Sequence, residues 1–397
     1  MAHRRRPQAE RINDERDGDR RFFPTPNRPG DRSAATVIRM TVRPRKARSR
    51  RPTMNDVARA AGVSQTAVSF VLNDRPDATI SEETRARIWQ AVTDLGYRPN
   101  AMAQALRSGK SSLLGFVTDE IATTPFAGLI IRGAQDAAWA HHRILTLVNT
   151  DKRADLESEA IGALLKHQVE GIVFATMYHH EISLPAILGD VPIALSNCYC
   201  ADSRVAAAVP DEERGGYEAT RHLLERGHRD VAYVSNIDDI PATHGRLAGY
   251  RRALHEFGLP FREDRVRYLP SVQEGGYDAV MSLMRQSGER PTALFCFNDR
   301  MAMGAYAALQ DLGLRIPQDI SVVGFDNQEL IAAHLRPPLT TLRLPHYEMG
   351  RWSVEALLGK VGTPSRTLIH CPLIERESVA RVDAKQARAR SVKDSST

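Results

Sequence analysis

The 397-residue sequence predicts an N-terminal all-α helix-turn-helix unit followed by an α/β region of two parallel-sheet subdomains. Residues 53–98 hold three short helical patterns, each bounded by residues that start or stop helices. From residue 113 onward, short apolar runs alternate with amphipathic stretches, the pattern of parallel sheets built from βαβ units. The chain length suits two or three folded units at roughly 150 residues each.

Composition excludes several classes of protein. Apolar residues make up 42% of the chain and charged residues 26%, the balance of a soluble globular protein. No apolar run approaches the roughly 20 residues of a membrane helix, and the N-terminus lacks the apolar core of a signal peptide. The four cysteines are too few and scattered for a disulfide framework. We expect a reduced, cytoplasmic protein.

Residues 1–52 differ in charge from the rest of the chain. They hold sixteen Arg and Lys against six Asp and Glu, several prolines and little periodic apolar content, which predicts a disordered basic tail. One interpretation is an electrostatic arm for nucleic acid. The other is a solvated extension, or an upstream start codon used in place of Met40 or Met54.

Residues 53–98 are predicted to form a helix-turn-helix braced by a third helix. Thr53 caps the first helix, Gly62 ends it, and Ser64 caps the second. Ser81 caps the third helix, whose Ile88, Val92 and Leu95 are expected to be buried, and Gly96 ends it. The second helix exposes a polar face, which consists of Gln65, Thr66, Ser69 and Asn73.

This polar face has the chemistry of base recognition in a major groove. Gln can pair bidentately with adenine, and Thr can bond either base type or touch a thymine methyl. Ser and Asn suit phosphate oxygens. The same pattern also describes an ordinary helical hairpin of an α domain, and helical spacing alone does not separate the two.

Two longer segments favour DNA binding, because they closely resemble the LacI/GalR family of transcription regulators. They read DVARAAGVSQTAVSFVLN and GYRPNAMAQALRSGKS, in the order and spacing of that family. The resemblance implies a hinge helix or linker over 99–110 and a leucine wedge, Leu106, that enters a minor-groove step. The alternative is a linker with helical propensity in which Leu106 packs.

One residue of the second helix departs from the family pattern. Phe70 stands where relatives often carry arginine, and it could touch a thymine methyl or be buried. With it, the expected DNA-binding residues are Thr53, Ser64, Gln65, Thr66, Ser69, Phe70, Asn73 and Leu106.

The remaining sequence predicts the α/β region. Some ten strands over about 270 residues suit two subdomains better than one sheet, with a ligand cleft at the carboxyl ends of the strands. Helical stretches such as Glu212–Arg226 and Arg300–Leu312 separate most strands. The expected strands are Leu113–Val117, Ile144–Val148, Gly171–Ala175, Pro192–Leu195, Val205–Val209, Val231–Ser235, Ala293–Phe297, Ser321–Phe325 and Thr340–Leu342.

The resemblance continues to about residue 380 through GHRDVAYV, RPTALFCFNDRMAMGA and IPQDISVVGFDNQEL. It implies a periplasmic-binding-protein-like effector-binding and dimerisation domain over 111–380. Its two subdomains should be linked by three crossovers, with the chain returning to the first between Phe325 and Thr341. Residues 381–397 are expected to form a flexible tail, and they lack the leucine heptads of a tetramerising coiled coil. We therefore expect a homodimer.

Five residues near strand ends are the expected effector-binding set. In relatives, the position of Arg246 clamps ligand oxygens and that of Asp326 accepts hydrogen bonds from ligand hydroxyls. Phe126, Asn197 and Asn298 complete a set that suits a polyol. The alternatives are a structural ion pair for Arg246 and Asp326, a helix cap for Asn298 and a core position for Phe126.

The ligand class is narrowed by one further loop. Sugar-binding relatives often place an aromatic residue after the strand near Tyr268, and here the loop reads Leu-Pro-Ser-Val from residue 269. A sugar or sugar derivative is still expected from the family, with a nucleoside or another small polar metabolite as the alternative.

No catalytic motif accompanies these residues. The adjacent pair His179 and His180 cannot share a helix face, and we expect exposed loop histidines rather than metal ligands. We predict no metal, no cofactor and no enzymatic activity. The sequence indicates a DNA-binding transcription regulator, expected to be a repressor, whose partners are operator DNA and a small effector. A solute-binding receptor or a sugar-processing enzyme using the same cleft is the alternative.

Overall fold

The computed structural model describes residues 51–73, 79–98, 111–125, 127–286, 288–361 and 366–382. They divide into two units, with the boundary between Arg98 and Pro99. Residues 1–50 of the tail expected over 1–52, the hinge segment 99–110 with Leu106, the expected pocket residue Phe126 and residues 383–397 lie outside the described residues.

Three helices form the N-terminal unit, and they are α1 (Met54–Ala61), α2 (Gln65–Leu72) and α3 (Glu82–Leu95). Thr53 and Asp56 form a reciprocal capping box at α1, with the Thr53 amide donating to the Asp56 carboxylate over 2.8 Å. Gly62 then takes a φ of 66°, the left-handed conformation that glycine adopts without strain, and turns the chain into α2. The predicted helix starts and stops are confirmed.

The three helices bury one apolar cluster centred on Val57, Val68 and Ile88, all at 0% exposure. The prediction that Leu95 is buried is wrong, since it is 37% exposed. The buried face of α3 includes Ile88 and Ala91, and Leu95 lies one turn further, beside the cap residue Gly96.

The strands described in the second unit form two six-stranded sheets. They are β1 (Leu113–Thr118), β2 (Ile144–Asn149), β3 (Gly171–Glu181), β4 (Ile193–Tyr199), β5 (Ala206–Pro210), β6 (Val231–Asn236), β7 (Val266–Leu269), β8 (Ala293–Cys296), β9 (Ser321–Asp326), β10 (Thr340–Arg343), β11 (Arg366–Ile369) and β12 (Leu373–Ile374). The first sheet has the order β11-β5-β4-β3-β1-β2, and the second has the order β12-β10-β9-β8-β6-β7. All described pairings are parallel except β10 with β12.

Helices of this unit pack in pairs beside the sheets. The most extensive contacts join α6 (Glu212–Glu225) with α7 (Pro241–Glu256), α4 (Gly128–Ala140) with α10 (His346–Leu357), and α8 (Gln273–Met284) with α9 (Asp299–Asp311). None of the helices in the described ranges is long and apolar enough to cross a membrane. Their bounds are α4 (Gly128–Ala140), α5 (Ala154–Lys166), α6 (Glu212–Glu225), α7 (Pro241–Glu256), α8 (Gln273–Met284), α9 (Asp299–Asp311) and α10 (His346–Leu357).

The chain passes between the two sheets three times, after β5, after β10 and after β11. The return to the first sheet was expected between Phe325 and Thr341, and that expectation is wrong. It follows Arg343, because β10 still pairs with β9 of the second sheet and α10 then packs against α4 and β4. No apolar run indicates β11 or β12, which are four and two residues long.

Helices α6 and α7 touch through glycines. A Cβ added to Gly216 would lie 2.3 Å from the Arg246 carbonyl oxygen, and one added to Gly249 would lie 2.1 Å from that of Glu213. Only glycine permits so close a contact of two backbones. The contact brings the N-terminus of α6 beside the second turn of α7, where the side chains of Glu212 and Arg246 meet.

Candidate functional site

The outer face of α2 carries the residues expected to contact DNA. Gln65, Thr66, Phe70 and Asn73 are exposed and Ser69 is half-buried. Phe70 is 36% exposed and lies outside the apolar cluster of this unit, so the alternative of a core position for Phe70 is wrong.

Several of the expected DNA-binding side chains also hold the helix ends. The Thr53 hydroxyl donates to Asp56 over 2.7 Å, and the Ser64 hydroxyl accepts from the Ala67 amide over 3.2 Å. The Asn73 amide donates to the Ser69 carbonyl over 2.7 Å at the C-terminus of α2. Gln65, Thr66 and Phe70 take no part in these caps. Their side chains are exposed on the outer face of α2 and are available to a ligand.

A cavity of about 430 Å³ opens between the carboxyl ends of the two sheets of the second unit. Four of the five expected effector residues line it: Asn197 from the first sheet and Arg246, Asn298 and Asp326 from the second subdomain. The structure therefore brings together residues that are up to 129 positions apart, from Asn197 to Asp326.

Arg246 is fixed by polar and aromatic contacts on several sides. It was expected at a strand end, and it instead lies in the second turn of α7 at 3% exposure. Its Nε donates to Glu212 over 2.7 Å, its Nη1 donates to the Phe297 carbonyl, and Asp326 Oδ1 lies 3.6 Å from Nη1. The guanidinium also stacks between two aromatic rings, those of Phe297 and Phe325, at 4.4 and 3.6 Å from the ring centroids.

Asp326 ends β9 with a φ of 102°, a conformation that costs a non-glycine residue free energy. Its carboxylate accepts from Gln328 Nε2 over 2.9 Å. Burial raises the pKa of Asp326, and the charge of Arg246 opposes that shift. Behind it, the fully buried Asp299 accepts from the Thr341 hydroxyl over 2.6 Å and from the Gln328 amide over 2.7 Å, which fixes the loop after β9.

The two asparagines have structural roles as well as places in the cavity wall. The Asn298 side chain caps α9 by accepting from the Met301 amide over 2.9 Å, so the helix-cap alternative is confirmed. Asn197 lies inside β4, not after it, with a φ of 58°. Its amide donates to the Thr176 and Met177 carbonyls over 2.9 and 3.1 Å, where the register of β3 against β4 shifts.

Among the polar residues of the cavity wall that sequence reasoning missed are His179, Asn236 and Gln328. Among the described residues, no hydrogen-bond partner is found for either His179 ring nitrogen, for either polar atom of the Asn236 amide, or for Gln328 Oε1. Asn236 is 1% exposed and ends β6, so its position at the carboxyl end of a central strand was the available signal.

His179 was expected in an exposed loop, and that expectation is wrong. Both His179 and His180 belong to β3 and are half-buried. The His179 ring packs edge-on against Tyr199 at 5.6 Å between centroids. Burial lowers the pKa of His179 to about 4, so the ring is neutral near pH 7 and can donate or accept one hydrogen bond at each nitrogen.

The cavity wall therefore presents both hydrogen-bond donors and hydrogen-bond acceptors. Amide and imidazole groups can each donate and accept, and the Arg246 charge is balanced by two carboxylates within 3.6 Å. Such a wall suits a small polar molecule with several hydroxyl or amide groups. Within the described ranges, no three His, Cys, Asp or Glu side chains are grouped closely enough to hold a metal ion.

Two known families match the chain over successive segments. Residues 53–100 match the family described as bacterial regulatory proteins, lacI family. Residues 111–377 match the family described as periplasmic binding proteins and sugar binding domain of LacI family. The second match alone covers more than half of the 397 residues.

Similar individual proteins include regulators of known structure. The HTH-type transcriptional repressor PurR of Yersinia pestis is 33% identical over 336 residues, which are 83% of this chain and 97% of PurR. The crystal structure of the lac repressor dimer bound to operator and the anti-inducer ONPF has a TM-score of 0.68, 26% identity, and covers 83% of this chain and 100% of its own. The transcriptional regulator CelR–cellobiose complex has a TM-score of 0.56, 29% identity and the same coverages.

Proposed function

The chain belongs to the LacI family of bacterial regulatory proteins, as its motifs predict, and we propose a role for each of its two units. Members of this family regulate transcription by binding DNA and are not enzymes. The match over 53–100 also disfavours the alternatives of a solute receptor or a sugar-processing enzyme.

The N-terminal unit, residues 53–98, binds an operator through α2 in the major groove. Gln65, Thr66 and Phe70 face the base edges, because they project from the exposed side of the helix. The capping residues Thr53, Ser64 and Asn73, and Ser69 beside Asn73, contact phosphates. Leu106 in the hinge segment 99–110 acts as a wedge in the minor groove.

The second unit, residues 111–380, binds a small effector between its two sheets. Arg246 and Asp326 orient ligand oxygens, Asn197 and Asn298 shape the two sides, and Phe126 closes one wall. Support for a sugar or sugar derivative comes from the family description, from the cellobiose bound by the similar CelR, and from the amide and imidazole hydrogen-bonding groups of the cavity wall.

Two copies form a homodimer in the cytoplasm and bind a pseudo-palindromic site, since a two-fold protein imposes that symmetry on its DNA. Effector binding changes the angle between the subdomains and thereby the order of the hinge segments on DNA. Operator and effector must then change each other's affinity by the same factor.

The observation that carries this proposal is the exposed polar face of α2, inside a segment that matches a family of DNA-binding regulators. The test is selection of duplexes from a random pool by the purified full-length protein, followed by a thermal-shift screen of sugars and nucleosides. We expect one two-fold symmetric sequence to be enriched, and one sugar both to raise the melting temperature and to alter operator affinity. Equal binding of all duplexes, with and without these metabolites, would reject the proposal.

A further inference from the structure

We propose that α2 recognises A·T base pairs in each operator half-site, with Phe70 packed on a thymine methyl group. This inference rests on the proposed function, because it takes α2 to lie in a major groove. It adds which bases the helix selects and which side chain makes the apolar contact.

The spacing of the residues places one surface toward DNA. Gln65 and Ser69 are four residues apart, as are Thr66 and Phe70, so the four side chains lie together on one side of α2. Val68 and Val71, at 0% and 2% exposure, hold the opposite side against α1 and α3. The helix therefore cannot turn Phe70 inward without exposing its valines.

The chemistry of that surface is uncharged. The helix reads Gln-Thr-Ala-Val-Ser-Phe-Val-Leu and carries no Arg or Lys, the side chains that pair most often with guanine. Gln65 can pair with adenine N6 and N7, whereas Thr66 and Phe70 can contact the thymine methyl. Gln65 and Phe70 thus favour A·T pairs, and Thr66 and Ser69 are compatible with them.

Phe70 is the large apolar side chain of that surface. It is an apolar ring at 36% exposure, flanked by polar side chains and outside the apolar cluster of the unit. Single exposed apolar side chains are ordinary on protein surfaces, so its exposure alone does not single it out. Its place beside Gln65 and Thr66, on the side of α2 proposed to face the bases, does. In the major groove the one apolar group on the base edges is the thymine methyl, which the ring would remove from water.

The experiment begins with the selected operator and the full-length protein. Each thymine is replaced in turn by deoxyuridine, which removes the methyl and keeps the hydrogen-bonding edge, and affinity is measured by fluorescence anisotropy at fixed salt. We expect one thymine in each half-site to lose roughly fourfold in affinity, the factor for one buried methyl group. Replacing both together should cost roughly fifteenfold.

The Phe70→Ala variant identifies the side chain responsible. It should bind the unmodified operator more weakly and no longer distinguish thymine from deoxyuridine at that position, while other positions keep their effects. Circular dichroism verifies that the variant is folded, which we expect for an exposed residue. A Thr66→Val variant, which keeps a methyl on the same surface, should retain the sensitivity to deoxyuridine at the Phe70 position.

The outcomes separate this inference from the proposed function. A protein that selects an operator but tolerates deoxyuridine everywhere, or that selects guanine under α2, overturns the inference and leaves the proposed function standing. If Phe70→Ala keeps the full deoxyuridine effect, the methyl contact belongs to another side chain and the assignment to Phe70 is rejected. If the protein selects no duplex at all, both the proposed function and this inference are rejected.

Discussion

At the scale of single residues, the central feature of the cavity is a buried cation between two carboxylates. Arg246 is within hydrogen-bonding distance of Glu212 and 3.6 Å from Asp326, and all three are largely excluded from solvent. Desolvation makes such a cluster a weak source of net stability, but the loss of one member leaves the others uncompensated. In the proposed function, this cluster is a preformed ligand clamp.

The variant Arg246→Met tests whether the cluster is buried and depends on its cation. Because Glu212 would be left buried without its cation, we expect the free energy of unfolding to fall by about 3–5 kcal/mol, measured by urea denaturation. The matched control is Arg252→Met on the same helix, whose guanidinium is half-exposed and bonds Glu213. It should change stability by less than about 1 kcal/mol. Equal losses in the two variants would contradict the buried clamp.

His179 supplies a pH-dependent prediction. Its pKa is about 4 in the folded protein, because burial disfavours the charged ring, and near 6.5 when unfolded. The unfolded state therefore binds more protons between these values, so this residue's contribution to stability is lost as the pH falls from 6.5 toward 4.

The neighbouring charges of Glu212, Arg366, His180 and Arg246 modulate that pKa, so a variant is needed to isolate the effect. In His179→Gln, the stability loss between pH 6.5 and pH 4 should be smaller than in the wild type by about 1–3 kcal/mol. Denaturant titrations of both proteins across this range measure the difference. Parallel stability curves for the two would show that His179 titrates normally.

At the scale of helices and strands, the contact of α6 with α7 sets the position of the clamp. The Gly249→Ala variant places a methyl against the Glu213 backbone, so the two helices must separate. We expect a loss of about 1–3 kcal/mol in the free energy of unfolding, typical of overpacking, together with weaker effector binding. The control is Ala248→Ser, which changes the preceding, exposed residue of α7. It should change the free energy of unfolding by less than about 0.5 kcal/mol. An unchanged melting temperature for Gly249→Ala would show that the helices yield easily.

The first residue of each helix in the N-terminal unit could be predicted from sequence, and parts of the cavity could not. Capping is local chemistry, so Thr53, Ser64 and Gly96 marked helix ends without any knowledge of the fold. The role of Asn236 depends on which strands lie beside β6, which no local pattern encodes. Asn197 was found by family position, but its left-handed backbone within β4 arises from the register shift of β3.

At the scale of the whole molecule, the proposed function requires reciprocal coupling between two ligands. The effector identified by thermal shift should change operator affinity by some factor, and saturating operator should change effector affinity by the same factor. Isothermal titration in both orders measures the two factors. Asp326→Asn is expected to abolish the effector's influence and to preserve operator affinity. Unequal factors for the wild type would mean that further binding equilibria are involved.

Assembly gives a separate prediction at this scale. A homodimer is expected in sedimentation equilibrium, because the proposed function places two copies on one two-fold symmetric operator. A stable tetramer at low concentration would contradict this expectation and would assign an oligomerisation role to another surface.

The threefold passage of the chain between its sheets has an evolutionary consequence. Neither sheet is encoded by a continuous stretch of gene, since β11 rejoins the first sheet and β12 the second after the opposite sheet has been visited. A single recombination breakpoint between β1 and β12 would give at least one of the two sheets strands from two parents. A breakpoint near codon 98 instead leaves both units whole. The N-terminal unit can therefore be exchanged between lineages while the second unit is inherited intact.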